Sequence, residues 1–246
     1  MFKSTCLIVL ALMLLSCAKP EERSCFKGSG DRVTEERSPG YFHSISVFDL
    51  INIRMIQDST DRVVVRCGEN IIGLVTTEIE NGLLTIRDDN KCNWLRSLPV
   101  NIEVDIHFTE MRNIRNEGSG TLTCEGRIEE DFFEFHSWRT ISKNYLNVSA
   151  DEVIVQLHAG GSYVEVEGTA DMSLFYNSGR GKLKAEGLLS QSIWADNKSE
   201  GEIRCTIDGG TLWYMLDGQG STYYAGEASE LIEVSRLGEG DLIALD

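Results

Sequence analysis

The sequence predicts an all-β chain built as a β-solenoid, in which short strands stack coil upon coil at about 4.8 Å. Three features point there: a glycine-framed phrase that returns at fixed intervals, alternating strands behind each glycine, and no stretch with a sustained helical period or a capped helix start. The phrase reads GTLTCEG at 120–126, GKLKAEG at 181–187 and GSTYYAG at 220–226. The opening glycines are Gly120, Gly161, Gly181, Gly201, Gly220 and Gly240, with gaps of 41, 20, 20, 19 and 20 residues. The doubled first gap is filled by 141–148 (ISKNYLNV), read as a unit that lost its glycine. Apolar residues then alternate: Leu122 and Cys124, Val164 and Val166, Leu183 and Ala185, Ile203 with Cys205 and Ile207, Leu242 and Ala244. A second strand fits each half-period, at 172–176, 192–195 and 212–216. A β-sandwich would share the alternation, but nothing in it demands a constant glycine phase.

From the N-terminus, residues 1–16 read as an export signal. A positive start at Lys3 is followed by an apolar run at 6–15, too short to span a bilayer as a stable helix. Leu14-Leu15-Ser16-Cys17 resembles a lipobox, which makes Cys17 the expected lipidated residue. Residues 17–40 have tether composition, with Pro20 and Pro39 among polar residues. Residues 41–117 form an N-terminal β region. Strand patterns lie at 43–48, 51–55 and 62–66, and a hairpin is expected where 74–79 and 83–86 flank Asn81-Gly82, the pair that suits a type I′ turn. At 100–108, Val100, Ile102, Val104, Ile106 and Phe108 share one face. The glycine-punctuated solenoid is expected over 118–246.

The chain has 246 residues, 41% of them hydrophobic, enough to bury a core without staples. Its formal charge of −16 opposes nucleic acid, because phosphate binding needs clustered Lys and Arg.

Taken in order, the tether, the ENGLLTI hairpin at 80–86, the strand VNIEVDI at 100–106, NEGSGTL at 116–122 and the repeated glycine turns resemble the head GIN domain family, described as autotransporter adhesin-like and common among bacterial envelope lipoproteins. The resemblance spans 41–246. It implies a right-handed parallel β-helix and an envelope location, and it implies no catalytic residues.

Chemistry-bearing motifs are sparse. GxSxG and HExxH are absent, and the Gly-x-Gly pairs lack the third glycine and helix of a phosphate loop. His43, His107, His136 and His158 are widely separated and read as structural or surface groups. Cys124 and Cys205 occupy equivalent inward places about four coils apart, on the order of 19 Å, beyond disulfide reach. Cys67 and Cys92 flank the hairpin and are a candidate bridge, leaving Cys25 odd. Glu125, Glu167, Glu186 and Asp208 each precede a unit-closing glycine and are a candidate calcium edge, weighed against a merely solvated corner. Trp194, Trp213, Tyr214, Tyr223 and Tyr224 crowd the last coils. Alternation sends one of each adjacent pair outward, where rings suit stacking on sugars or docking a protein.

These readings converge on a non-catalytic, lipid-anchored envelope scaffold with a glycan or protein ligand, no cofactor and no nucleic-acid partner. The location expected is the outer membrane, with the domain facing the surface or the periplasm. The alternatives are a polysaccharide-active β-helix enzyme and a purely structural domain; no convergent catalytic set supports the enzyme.

Overall fold

The computed structural model describes residues 28–90 and 101–245. The signal segment, Cys17, Cys25 and Cys92 lie outside them. Strands β1 (Arg32–Arg37), β2 (Ser44–Val47), β3 (Ile51–Gln57), β4 (Arg62–Gly68), β5 (Val75–Glu80), β6 (Leu83–Asp88), β7 (Ile102–Phe108), β8 (Asn113–Asn116), β9 (Thr121–Glu125) and β10 (Ile128–Glu129) come first. They are followed by β11 (Phe132–Thr140), β12 (Lys143–Gly160), β13 (Tyr163–Asn177), β14 (Lys182–Asn197), β15 (Ile203–Asp208), β16 (Thr211–Leu216), β17 (Thr222–Glu227), β18 (Glu230–Ser235) and β19 (Leu242–Ala244). Together they make a β-solenoid of about 7 turns.

Each coil has two long faces. The first face stacks β3, β9, the leading halves of β12, β13 and β14, then β15, β17 and β19, all in parallel register. The second stacks β2, β8, β11, the trailing halves of β12 to β14, then β16 and β18. The unit at 141–148 that lacks its glycine takes its place in the stack: Lys143 pairs with Thr121 on one side and Tyr163 on the other.

Inward columns fit by alternating size. Phe135, Val155, Phe175, Ala195 and Tyr214 stand in register on successive coils, so each large ring lies over a small neighbour. The first four are buried. That is how a close-packed core avoids voids when every layer has the same backbone.

The glycine phase has a steric cause. A side-chain carbon on Gly201 would lie 1.8 Å from the Gly181 carbonyl oxygen, and one on Gly220 would lie 1.7 Å from the Gly201 oxygen. At these two corners the coils touch backbone to backbone and no side chain fits, whereas at Gly161 an added carbon would meet only the Ile141 side chain at 3.7 Å. Gly120 occupies the equivalent corner against the Ile51 oxygen.

The parallel stack begins ahead of residue 118. Ser44 pairs with Asn113 and Ile53 with Leu122, so β2 and β3 make the coil beneath β8 and β9. In the chain between them, β6 and β7 pair in parallel with β2 and β3 and extend the stack, while β4 adds antiparallel to β7 and β1, and β5 antiparallel to β6. The expected hairpin is there, with Asn81 and Gly82 at φ of 52° and 79°. Strand β1 lies in the stretch whose composition reads as tether. Its Arg37 guanidinium donates to the Val75 oxygen (2.6 Å) and the Ile72 oxygen (3.0 Å), tying the two additions together across the end of the coil.

Candidate binding face

The two outer faces differ in chemistry. Near its start, the first face is laced with ion pairs. Asp105, a buried carboxylate on β7, receives Arg54 at 2.6 Å and Arg66 at 2.5 Å. Burial alone would raise its pKa, but the Arg66 and Arg54 hydrogen bonds outweigh that and hold it at about 2. Because the folded value lies below the ordinary 3.8, the carboxylate stabilises the fold above about pH 4 and loses that contribution as pH falls toward 2. Asp105→Asn is therefore expected to cost about 2 kcal/mol at pH 7 and almost nothing near pH 2, read from urea melts at both pH values.

The second face carries rings and aliphatic groups. Ile154, Leu174, Trp194, Trp213 and Ile232 stand in one outward column on adjacent strands, each half-buried. The Trp194 and Trp213 rings stack with centroids 6.4 Å apart. Next to this column, Trp138 and His158 stack at 3.9 Å, with His136 5.5 Å and Tyr176 5.3 Å from His158. Burial, then the neighbouring His136 and Arg115, lowers the His158 pKa, so this imidazole stays neutral more readily than a free one. A trough of about 600 Å³ opens on the same face over β6, β2, β8 and β11.

The five aromatic residues expected to cluster divide between the faces. Trp194 and Trp213 point outward on the second face, while Tyr214 and Tyr224 pack against the core. Tyr223 is outward on the first face, under the Arg204 guanidinium at 4.7 Å. Sequence spacing did not suggest the Trp138, His158 and Tyr176 cluster. The signal was present, since Trp138 and His158 lie one 20-residue period apart and stand opposite each other in register.

The four expected calcium ligands do not fall in one column. Glu125 pairs with Arg54 at 3.1 Å and Glu186 with Arg204 at 3.0 Å. Exposed Glu167 stands opposite Gly187 across a register shift, and Asp208 stands opposite Glu227. Asp208 instead joins a second trough of about 600 Å³, lined also by Glu130, Asp131, Asp151 and Asp171. Among the described residues, no group of three or more His, Cys, Asp or Glu side chains is placed to hold a metal ion.

Cys67, Cys124 and Cys205 are free thiols, and Cys67 is buried. Burial pushes the Cys124 and Cys205 thiols up to about 12, which leaves them inert as nucleophiles. Met55 stands beside Cys124 and Ala185 beside Cys205 in the same inward column, so the two cysteines are core residues of separate coils.

The fold recurs in solved structures. An adhesin described as putative from Bacteroides fragilis superposes with a TM-score of 0.81 at 19% identity, covering 87% of this chain and 97% of that one. A "putative lipid binding protein" from Parabacteroides distasonis gives 0.64 at 20% identity, covering 89% and 98%. A "putative adhesin" from Parabacteroides merdae gives 0.59 at 15% identity, with the same coverage. No curated protein matches the sequence. The family model described as "Putative auto-transporter adhesin, head GIN domain" matches residues 41–228, three quarters of the chain, and the chain belongs to that family.

Proposed function

We propose that this chain is a non-catalytic, adhesin-like protein of the cell envelope, tethered through a lipid on Cys17, and that the outer second face of the solenoid binds its glycan or protein partner. One observation carries the reading. The Trp194 and Trp213 rings and their aliphatic column lie outward on a parallel sheet, although burial in the core was open to apolar side chains. Outward, half-buried stacked rings on a rigid sheet offer amphipathic contact at little cost in conformational entropy. The family's adhesin description and the similarly described Bacteroides structure support the same reading.

A glycan array probed with the mature protein, with reducing-end assays on the same sugars, tests it. The expected result is binding without release of reducing ends, weakened about tenfold or more in the Trp194→Ala, Trp213→Ala double variant. In the full-length chain, Cys17→Ala is expected to move the protein from the membrane to the soluble fraction. Turnover of a bound sugar would overturn the non-catalytic reading, and undiminished binding by the double variant would overturn the assignment of the face.

A further inference from the structure

The trough over β6, β2, β8 and β11 has a chemistry of its own. In a chain with 39 acidic and 23 basic residues, cations are mostly drawn into ion pairs. Here two arginines lie against aromatic rings, and one of them is outside any ion pair among the described residues. The Arg87 guanidinium lies 3.6 Å from the Phe48 ring centroid and makes no ion pair among the described residues. Arg115 lies 5.1 Å from the Trp138 centroid, with its Nε donating to Glu117 at 2.7 Å. Glu117 is the trough's acidic lining residue, and that bond already engages it.

The rings fix the arginines. His158 stacks on Trp138 at 3.9 Å while Arg115 lies against the same indole, so the ring is engaged as a support for the guanidinium. Phe48 supports Arg87 in the same way. A guanidinium held over a ring by cation–π attraction keeps N–H donors for a planar anion, and holding it in place beforehand reduces the entropy lost on binding. Strand β2 runs between β6 and β8, with Thr85 and Arg115 both opposite Ser46 and Arg87 two residues further along β6, which sets the two arginine backbones about 12 Å apart. The floor between them is polar: Ser44, Ser46 and Thr85 supply hydroxyls, and the Asn113 amide, whose Nδ2 donates to Glu134, leaves its Oδ1 toward the trough lining.

Carboxylate-binding forks at the sides, a floor of hydroxyls and an amide, and a volume within the ordinary range for small-ligand sites fit one ligand class. We propose that this trough binds acidic saccharides, with Arg87 pairing the sugar carboxylate, Arg115 assisting, and the floor taking the ring hydroxyls. The proposal deepens the glycan-binding reading above and rests on it. The carboxylates nearest the trough are already engaged, Glu117 by Arg115 and Glu134 by Asn113 and His136, which leaves the Arg87 charge for an acidic sugar.

Calorimetry with a uronate trisaccharide and its carboxyl-reduced neutral counterpart tests it. Wild-type protein is expected to prefer the uronate by about tenfold. Arg87→Gln should abolish that preference, Arg87→Lys should restore it only in part because the fork is gone, and Arg127→Gln should leave it intact. Arg87 is exposed, so all three variants should melt with the wild type. Equal affinity for both sugars, or a preference unchanged in Arg87→Gln, overturns the acidic site; if Trp194→Ala, Trp213→Ala then loses both sugars, glycan binding itself stands. If neither sugar binds, the acidic site and the glycan reading fall together.

Discussion

Gly220→Ala is expected to destabilise the protein by more than about 3 kcal/mol, one of the largest effects available from adding a single methyl group. The added carbon would sit 1.7 Å from the Gly201 carbonyl oxygen, and that oxygen belongs to backbone that cannot rotate away. The only relief is to part the coils, which breaks the hydrogen bond from Gly220 N to Ser199 O (2.8 Å) and its neighbours. For a chain of this size the melting temperature should fall by roughly 10 °C. Gly73→Ala is the matched control, because nothing lies within 4 Å of its added carbon, and it should melt within about 2 °C of wild type. Circular dichroism melts of the two variants decide the matter, and equal midpoints would refute the steric account of the glycine phase. Hydrogen exchange adds a local readout. In a stack where each coil touches only its neighbours, protection should be lost first around 201–227.

That steric account explains why the solenoid was legible in the sequence. At Gly120, Gly201, Gly220 and Gly240 an added carbon would meet the backbone of the neighbouring coil, so those corners favour glycine and return at close to 20-residue intervals, while Ile141 takes the corner without one and Gly161 would meet only the Ile141 side chain at 3.7 Å. The hairpin at Asn81-Gly82 was legible for a similar reason, since both turn positions need positive φ. The first coil was not legible as a coil. Sixty-nine residues separate Ser44 from its stacking partner Asn113, because β4 to β7 are inserted between them, and no period survives such an insertion. Strand β1 was missed because it earns its place through Arg37 and antiparallel pairing with β4; its own side chains, RVTEER, are mostly exposed and read as linker. The binding face was half legible. Alternation separates Trp213 from Tyr214, but it does not say that Tyr223 belongs to a different face from Trp194. That depends on which half of the coil each strand occupies. The calcium edge failed to line up for a related reason: the shift between β13 and β14 places Gly187 opposite Glu167 and slides Glu186 out of the column.

A second large effect is expected where the coil corner is held from inside. Asn197 is fully buried at the end of β14, and its side chain ties three successive pieces of backbone together. Nδ2 donates to the carbonyl oxygens of Gly201 (3.2 Å), Gly220 (3.1 Å) and Ser221 (3.2 Å), while Oδ1 accepts from the Ser199 amide at 3.1 Å and its hydroxyl at 2.6 Å. The donating half recurs one coil earlier, where Asn177 donates to Gly181 O at 2.8 Å, and the accepting half at Asn116, which accepts from Gly118 N at 2.9 Å while its Nδ2 donates to Asn144 Oδ1 at 2.7 Å. These are the asparagines of NEGSG, NSGRG and NKSEG, each four residues ahead of a corner glycine. A corner built on glycine has no side chains of its own to satisfy its inward carbonyls, so a neighbouring amide must do it. Asn197→Ala leaves those groups without partners inside the protein and opens a small void. The expected loss is about 3 kcal/mol, since each orphaned buried polar group costs on the order of 1 kcal/mol or more. Asn197→Asp should be no better than alanine at neutral pH, because a carboxylate of nearly the same shape cannot donate and would bring an unpaired charge into the core. If Asn197→Asp melts with the wild type, the asparagine is filling space and not bonding the corner. A melt well below both wild type and Gly73→Ala would show that the glycines permit the close stacking and the asparagines hold it.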